Sequence, residues 1–522
     1  MDSTKIKALI VFILALFFAL YLGIAAATAQ LEVLAWVGGG LFLILCLLLG
    51  RHVWILIPAT LGMQGGLNFI PGSPAPWHLM TAVVAGFTLL RIAIRQQRIH
   101  IRWTGMETVV LLVGLTVLQA MLRNPVGLAM LGGDSAGSKP YFIFGVAIVA
   151  FFLISTADAN FRTWQRAVMA YLVISLLDSA SALISGFSAS YAQTMIRFYS
   201  NISYDAANTL NYNSNITDIR ITEFAPLAGT LGLIACTFWR PLGALDFTKP
   251  WRAVVAFGAV TGTLLSGFRT TVLALFVNFI LGSVLRRKPI DAVVCLALGI
   301  VLAAVVVIAV PSSSLPFSVQ RVFSFIPGYA RTDIAKEAKS SEDFRFEMWE
   351  LALTTDKYIH NKLLGDGFQF SRDEYNAREA MRLKDYRLTG GMNGVDMMMI
   401  TGSYHGFHME TIRFTGVVGL IAATAALIVF AVFAYRCIRA YRDQPGWGHV
   451  IFVCMPYLTA PLWTWLVFGD YKSGFPMGLA LAGMVKLLYT IHQNDQATVT
   501  ASTMPANQPP ASPHNPVNTN RR

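Results

Sequence analysis

Two arginines and a pair of histidines are the residues of this chain best placed to do chemistry. Arg269 lies in LLSGFRTTVLALFV (264–277), between two apolar runs. A cation there, close to a bilayer, is costly unless it meets an anion. Arg220 opens RITEFAPLAGTLGL (220–233), where a polar stretch turns apolar. His405 and His408 stand in GSYHGFHMETIRFTGVVGLIA (402–422), next to Tyr404 and just before Glu410. Guanidinium is a planar, permanently charged fork that matches carboxylate and phosphate oxygens, and imidazole exchanges its proton near neutral pH. Plainer structural roles compete with these. Arg269 could favour the negative end of the preceding helix dipole, Arg220 could snorkel at an interface, and the histidines could simply pack.

These residues sit in a chain built for lipid. Of its 522 residues 55% are hydrophobic and 13% charged, and the mean hydropathy is +0.56; soluble domains carry roughly 25% charge. Apolar stretches of spanning length recur almost to residue 491, and in lipid each must be a helix, because backbone polar groups find no other partners there. The expected crossings are 8–28, 31–50, 53–70, 78–95, 107–122, 141–157, 166–186, 222–238, 251–268, 270–286, 291–310, 415–437, 449–468 and 474–491. The fold class is therefore all-α, a polytopic transmembrane bundle of about fourteen helices. The net charge of +12 reads as topology anchors in short turns, not as a nucleic-acid surface.

Cytoplasmic turns carry the excess of Lys and Arg. With Lys5 and Lys7 inside, alternate turns land on Arg51, on Arg91, Arg95, Arg98 and Arg102, on Arg162 and Arg166, on Arg240, Lys249 and Arg252, on Arg286, Arg287 and Lys288, and on Arg436, Arg439 and Arg442. Both termini are then cytoplasmic. The outside receives 187–221 and a large loop, 311–413, which holds 14 of the 28 acidic residues and so has the composition of a soluble domain. It is expected to be partly helical, RFEMWELAL (345–353) being its clearest amphipathic stretch. The chain thus divides into 1–310 (helices with short loops), 311–413 (large loop), 414–491 (three further helices) and a disordered tail, 492–522. Cys46, Cys236, Cys295, Cys437 and Cys454 form no C-x-x-C pair, and there is no H-E-x-x-H; neither a metal nor a cofactor is expected.

In order and spacing these pieces resemble the O-antigen ligase and O-antigen polymerase family of bacterial membrane glycosyltransferases. The matching parts are the turn with Arg269, the Arg220 segment, Arg345 with Trp349, LLGDGFQF (363–370), and His405 eleven residues before Gly416, with Gly419 following. Gly406 stands where the family usually has Asn, Gly267 and Phe268 separate Ser266 from Arg269, and Glu223 takes the place of a common Gly.

The resemblance implies transfer of a glycan from a polyprenyl-diphosphate carrier to a hydroxyl acceptor at the periplasmic face of the bacterial inner membrane. It implies His405 as general base, Arg220 and Arg269 on the diphosphate, and His408, Tyr404, Arg345 and Glu410 in support, with inversion and without metal. The partners it implies are the lipid-linked donor, a glycan, lipid or protein acceptor, the bilayer and other polysaccharide-assembly proteins. A transporter or flippase without catalysis is the alternative; it needs charges deep in helices, and Asp178 is the acid placed so.

Overall fold

The computed structural model describes residues 40, 44–96, 101–124, 139–201, 222–368, 394–400, 402–466 and 470–503. The expected crossing at 8–28, most of 31–50, Arg220 with its outer loop, the middle of the large loop and the end of the tail lie outside the described residues. The chain divides into Met1–Trp54 and Ile55–Arg522. In the first unit residues 44–54 are helical.

The second unit is helical throughout its ordered elements, with no strand among the described residues. Its helices are α1 (Leu56–Leu61), α2 (Pro76–Ala93), α3 (Met106–Arg123), α4 (Lys139–Ser155), α5 (Phe161–Phe187), α6 (Ala189–Met195), α7 (Phe224–Thr237) and α8 (Pro250–Leu265). There follow α9 (Arg269–Leu285), α10 (Pro289–Ala309), α11 (Phe317–Val322), α12 (Thr332–Thr354), α13 (Gly394–Ile400), α14 (Phe407–Ala440), α15 (Trp447–Leu466) and α16 (Gly474–Thr503). Prolines open α2, α8 and α10, where a missing N–H costs nothing. Asn160 caps α5 by accepting the Thr163 N–H at 2.9 Å.

Seven stretches among the described residues are long and apolar enough to cross a membrane: Ile44–Leu61, α2, α3, α5, α10, α14 and Gly474–Thr498 of α16; α4, α7 and α9 are shorter apolar helices. In α10 only 6% of the most apolar window is buried, a surface that only an apolar solvent accommodates. The protein is a polytopic helical membrane protein. The turn expected at Arg51, between the crossings 31–50 and 53–70, is instead helical: Ile44–Leu61 is one stretch through Arg51, and it ends early, at Leu61. Gly62 packs so tightly on α5 that a Cβ would lie 2.8 Å from the Ser175 nitrogen, and one on Gly66 would meet the Ser73 oxygen at 2.3 Å. Residues 62–75 fold as an irregular wedge instead.

The bundle has two chemically distinct ends. At one, Lys486 pairs with Glu107 (2.9 Å) and Arg240 with Asp291 (2.9 Å). Trp164 donates to the Met484 carbonyl, Phe161 stacks on Tyr441 and Phe238 meets His449. Arg286 donates to the Thr237 carbonyl and lies 5.3 Å from the Trp447 ring centre. Within the second unit, the turns near 102, 162, 240, 286 and 441 that the Lys and Arg count assigns to one side therefore meet at one end. The other end gathers the last turn of α3, the first turns of α4 and α14, Tyr471, and residues 361–368.

Candidate functional site

The centre of that second end is a break in α14. Gly416 has φ 76° and ψ −177°, a conformation essentially restricted to glycine, and it frees two amides from the helix. Val417 N–H donates to the Lys362 carbonyl (2.9 Å) and Val418 N–H to that of Leu363 (3.2 Å). In the opposite sense Asp366 N–H donates to the Arg413 carbonyl (2.9 Å) and Gly367 N–H to that of Phe414 (3.0 Å). LLGDGF is thus sewn into the helix break. Gly365 and Gly367 both have φ +73°, and a Cβ on Gly365 would fall 2.5 Å from the Gly416 nitrogen. No larger residue allows this approach.

Asp366 ties the segment to itself and to α14. Its carboxylate accepts the N–H groups of His360 (2.9 Å) and Asn361 (2.8 Å) and pairs with Arg413 at 3.0 Å, both side chains of the pair being mostly buried. From the other side Gln119 donates to the Leu364 carbonyl, Arg123 to the Leu364 and Gly365 carbonyls and Asn124 to the Asp366 carbonyl, while the Tyr141 hydroxyl accepts the Phe368 N–H. The start of α14 is consequently held rigidly against α3 and α4.

His405 lies just before α14 in the left-handed region, with φ +51°, and is exposed between buried Tyr404 and buried Gly406. A non-glycine residue in that region is strained and persists only when its surroundings hold it. Trp349 supplies the hold by donating from Nε1 to the Tyr404 carbonyl (2.8 Å), and its ring closes on Gly406, where a Cβ would lie 2.9 Å from it. Arg345 is one turn before Trp349, on the same face of α12. Partial desolvation and then the Arg345 charge hold the His405 imidazole below its ordinary 6.5.

His408 is sandwiched, 4.6 Å from the Trp349 ring and stacked on Trp465 at 6.0 Å. Its buried Nδ1 has no hydrogen-bond partner. This is a packed histidine that supports its neighbours. Glu410 points elsewhere: its carboxylate accepts the Tyr471 N–H at 3.0 Å.

The structure therefore brings His405, Tyr404, His408 and Arg345 together. Arg269 belongs to the adjoining layer. It is the first residue of α9, after a turn in which Gly267 has φ +68° and the Ser266 hydroxyl donates to the Thr263 carbonyl at 2.7 Å. A cation at that position opposes the dipole of its own helix but lies just past the C-terminus of α8, the end a cation favours. α11 packs on α8, α9 and α12 and so links the Arg269 turn to the helix that carries Arg345 and Trp349. Trp465, the Asp366–Arg413 pair and the reach of Trp349 to the Tyr404 carbonyl had no signal in the sequence. The glycines of LLGDG and GVVG were the visible trace of the helix break.

Among the described residues no three His, Cys, Asp or Glu side chains are grouped as metal ligands, and all five cysteines are free. Compared with protein families and with curated proteins, the sequence matches none.

Proposed function

We propose that this protein is a glycosyltransferase of the O-antigen ligase and polymerase type, moving a glycan from a polyprenyl diphosphate to a hydroxyl acceptor. The observation that carries the reading is His405: an accessible imidazole, strained into place, kept largely neutral beside a cation, at the end of the bundle away from the basic turns. On this reading that end is periplasmic, the chain crosses the inner membrane about fourteen times, and 311–413 is the periplasmic segment.

In the reaction His405 takes the acceptor hydroxyl proton as the oxygen attacks the anomeric carbon. The new C–O bond forms as the bond to the diphosphate breaks, and the lipid diphosphate departs with the electron pair. Attack opposite the leaving group inverts the anomeric centre. Arg269 and Arg220 take up the charge that develops on the leaving phosphate oxygens, and Arg345 is the cation whose charge acts on the base. Asp178, the residue a transport path would need, is instead consumed in packing. It accepts from the Tyr199 hydroxyl (2.6 Å), Asn201 Nδ2 (2.9 Å) and the Gln64 N–H (3.3 Å).

The test is transfer in vitro from a defined polyprenyl-diphosphate glycan, with and without chelator. His405→Gln should abolish product while donor binding persists, and chelator should change nothing. Full turnover by His405→Gln would refute the assignment.

A further inference from the structure

Beyond its break, α14 continues to Ala440 with a face that the other described residues leave open. Ile428, Ala431, Val432, Tyr435 and Arg439 recur at helical spacing along that face, and with Arg436 and with Pro461 of α15 they line a groove of about 490 Å³. α15 carries Pro456 and Pro461 within its length, and Pro461 lines the groove; proline has no N–H to donate. Ile428 (52% exposed) and Val432 (43%) are open to the surroundings inside a helix apolar enough to span a membrane.

The groove is chemically graded. Its wall is apolar from Ile428 to Tyr435, and it ends on two exposed guanidiniums, Arg436 and Arg439, three residues apart and therefore neighbours on the helix surface. Both sit at the basic end of the bundle, just before Tyr441, whose ring stacks on Phe161. Ile428 to Arg439 covers about 16 Å by helical rise, roughly one leaflet of a ~30 Å hydrocarbon core. A trough one leaflet deep that ends in two cations fits a molecule with an acyl chain and an anionic head.

We propose that this groove is a binding site for an anionic phospholipid, with one acyl chain along Ile428, Val432 and Tyr435 and the phosphate between Arg436 and Arg439. The site is independent of the glycosyl-transfer reading, because it lies at the opposite end of α14 from His405.

Native mass spectrometry of the full chain in detergent tests it, with dioleoyl phosphatidylglycerol and dioleoyl phosphatidylcholine as probes. Two arginines near a lipid headgroup predict a preference for phosphatidylglycerol of about 30-fold (about 2 kcal/mol). The double variant Arg436→Gln/Arg439→Gln should lose that preference and keep the wild-type melting temperature, since both side chains are exposed. Val432→Trp should reduce retention of both lipids by filling the trough. An equivalent double change at the other basic turns, Arg91→Gln/Arg95→Gln, should leave the preference intact. Inorganic phosphate, lacking a chain, should not displace the lipid. Equal retention of the two lipids by the wild-type chain, a preference that survives in the Arg436/Arg439 double variant, or release of lipid on dimer formation would overturn the proposal. If Val432→Trp does not fold, the glutamine variants alone decide.

Discussion

Removing the Asp366 carboxylate should unfasten LLGDGF from the break in α14, and the effect can be sized. Two charge-assisted hydrogen bonds, from the His360 and Asn361 amides, contribute roughly 1.5–3 kcal/mol each. Leaving Arg413 without its mostly buried partner costs about 3–5 kcal/mol. The three interactions share one carboxylate and are not additive, so the lower edge, about 3 kcal/mol, is the conservative expectation. The direct reporters are the Val417 and Val418 amides, which are bonded to the carbonyls of Lys362 and Leu363. Their protection measures the opening of this seam whether or not global unfolding is reversible. In Asp366→Ala they should exchange roughly 100-fold faster, and Asp366→Asn, which keeps acceptor shape without charge, should fall between. Amides at the far end of the bundle should be unchanged. Acceleration of less than about tenfold at Val417 and Val418, corresponding to less than 1.4 kcal/mol, would mean that the helix break holds itself and the carboxylate is incidental.

Three further outcomes are expected. The transfer rate should fall on the acid side with a midpoint below 6.5, since the neutral imidazole is the working form and desolvation, with the Arg345 charge, keeps the proton off His405; Arg345→Gln removes the second cause and should move that limb upward, and a pH–rate profile that does not move would detach Arg345 from His405. Gly416→Ala should cost more than about 3 kcal/mol in thermal unfolding, because its Cβ would fall 2.1 Å from the Leu363 oxygen at φ +76°, whereas Gly478→Ala, with open space around it, should gain up to about 1 kcal/mol. Trp349→Phe removes the donor to the Tyr404 carbonyl and should cost about 1–3 kcal/mol and lower turnover about tenfold while donor affinity holds; unchanged turnover would show that the His405 turn keeps its shape unaided.

The helices were legible because their cause is local. An apolar stretch with proline at its head and basic residues beyond its end reports its own conformation, and α2, α8 and α10 begin within two residues of the expected starts at 78, 251 and 291. The crossing expected at 53–70 failed for a reason hydropathy does not encode. Gly62 and Gly66 are small so that α5 and the Ser73 turn can come close, and that contact is tertiary. The packing of α11 between the Arg269 turn and α12 was hidden for the same reason.

The site was legible as residue types and not as roles. His405 and His408 look equivalent in HGFH, yet one is strained outward and the other lies between Trp349 and Trp465. The difference arises because α14 begins at Phe407, so His408 falls on the helix face that packs on α15 while His405 stays in the turn before it. Glu410, two residues further on, is carried round to the Tyr471 amide and away from the face His408 shares with the tryptophans. Spacing alone could not make this separation, because it depends on where the helix starts, and just before that start Trp349 holds the Tyr404 carbonyl from a helix more than fifty residues earlier. Moving the start of α14 by one residue would turn each of these side chains by about 100°. It would put His405, the base on the proposed reading, into the packed face, which is why the seam at Asp366 and the clasp at Trp349 should affect turnover without touching substrate.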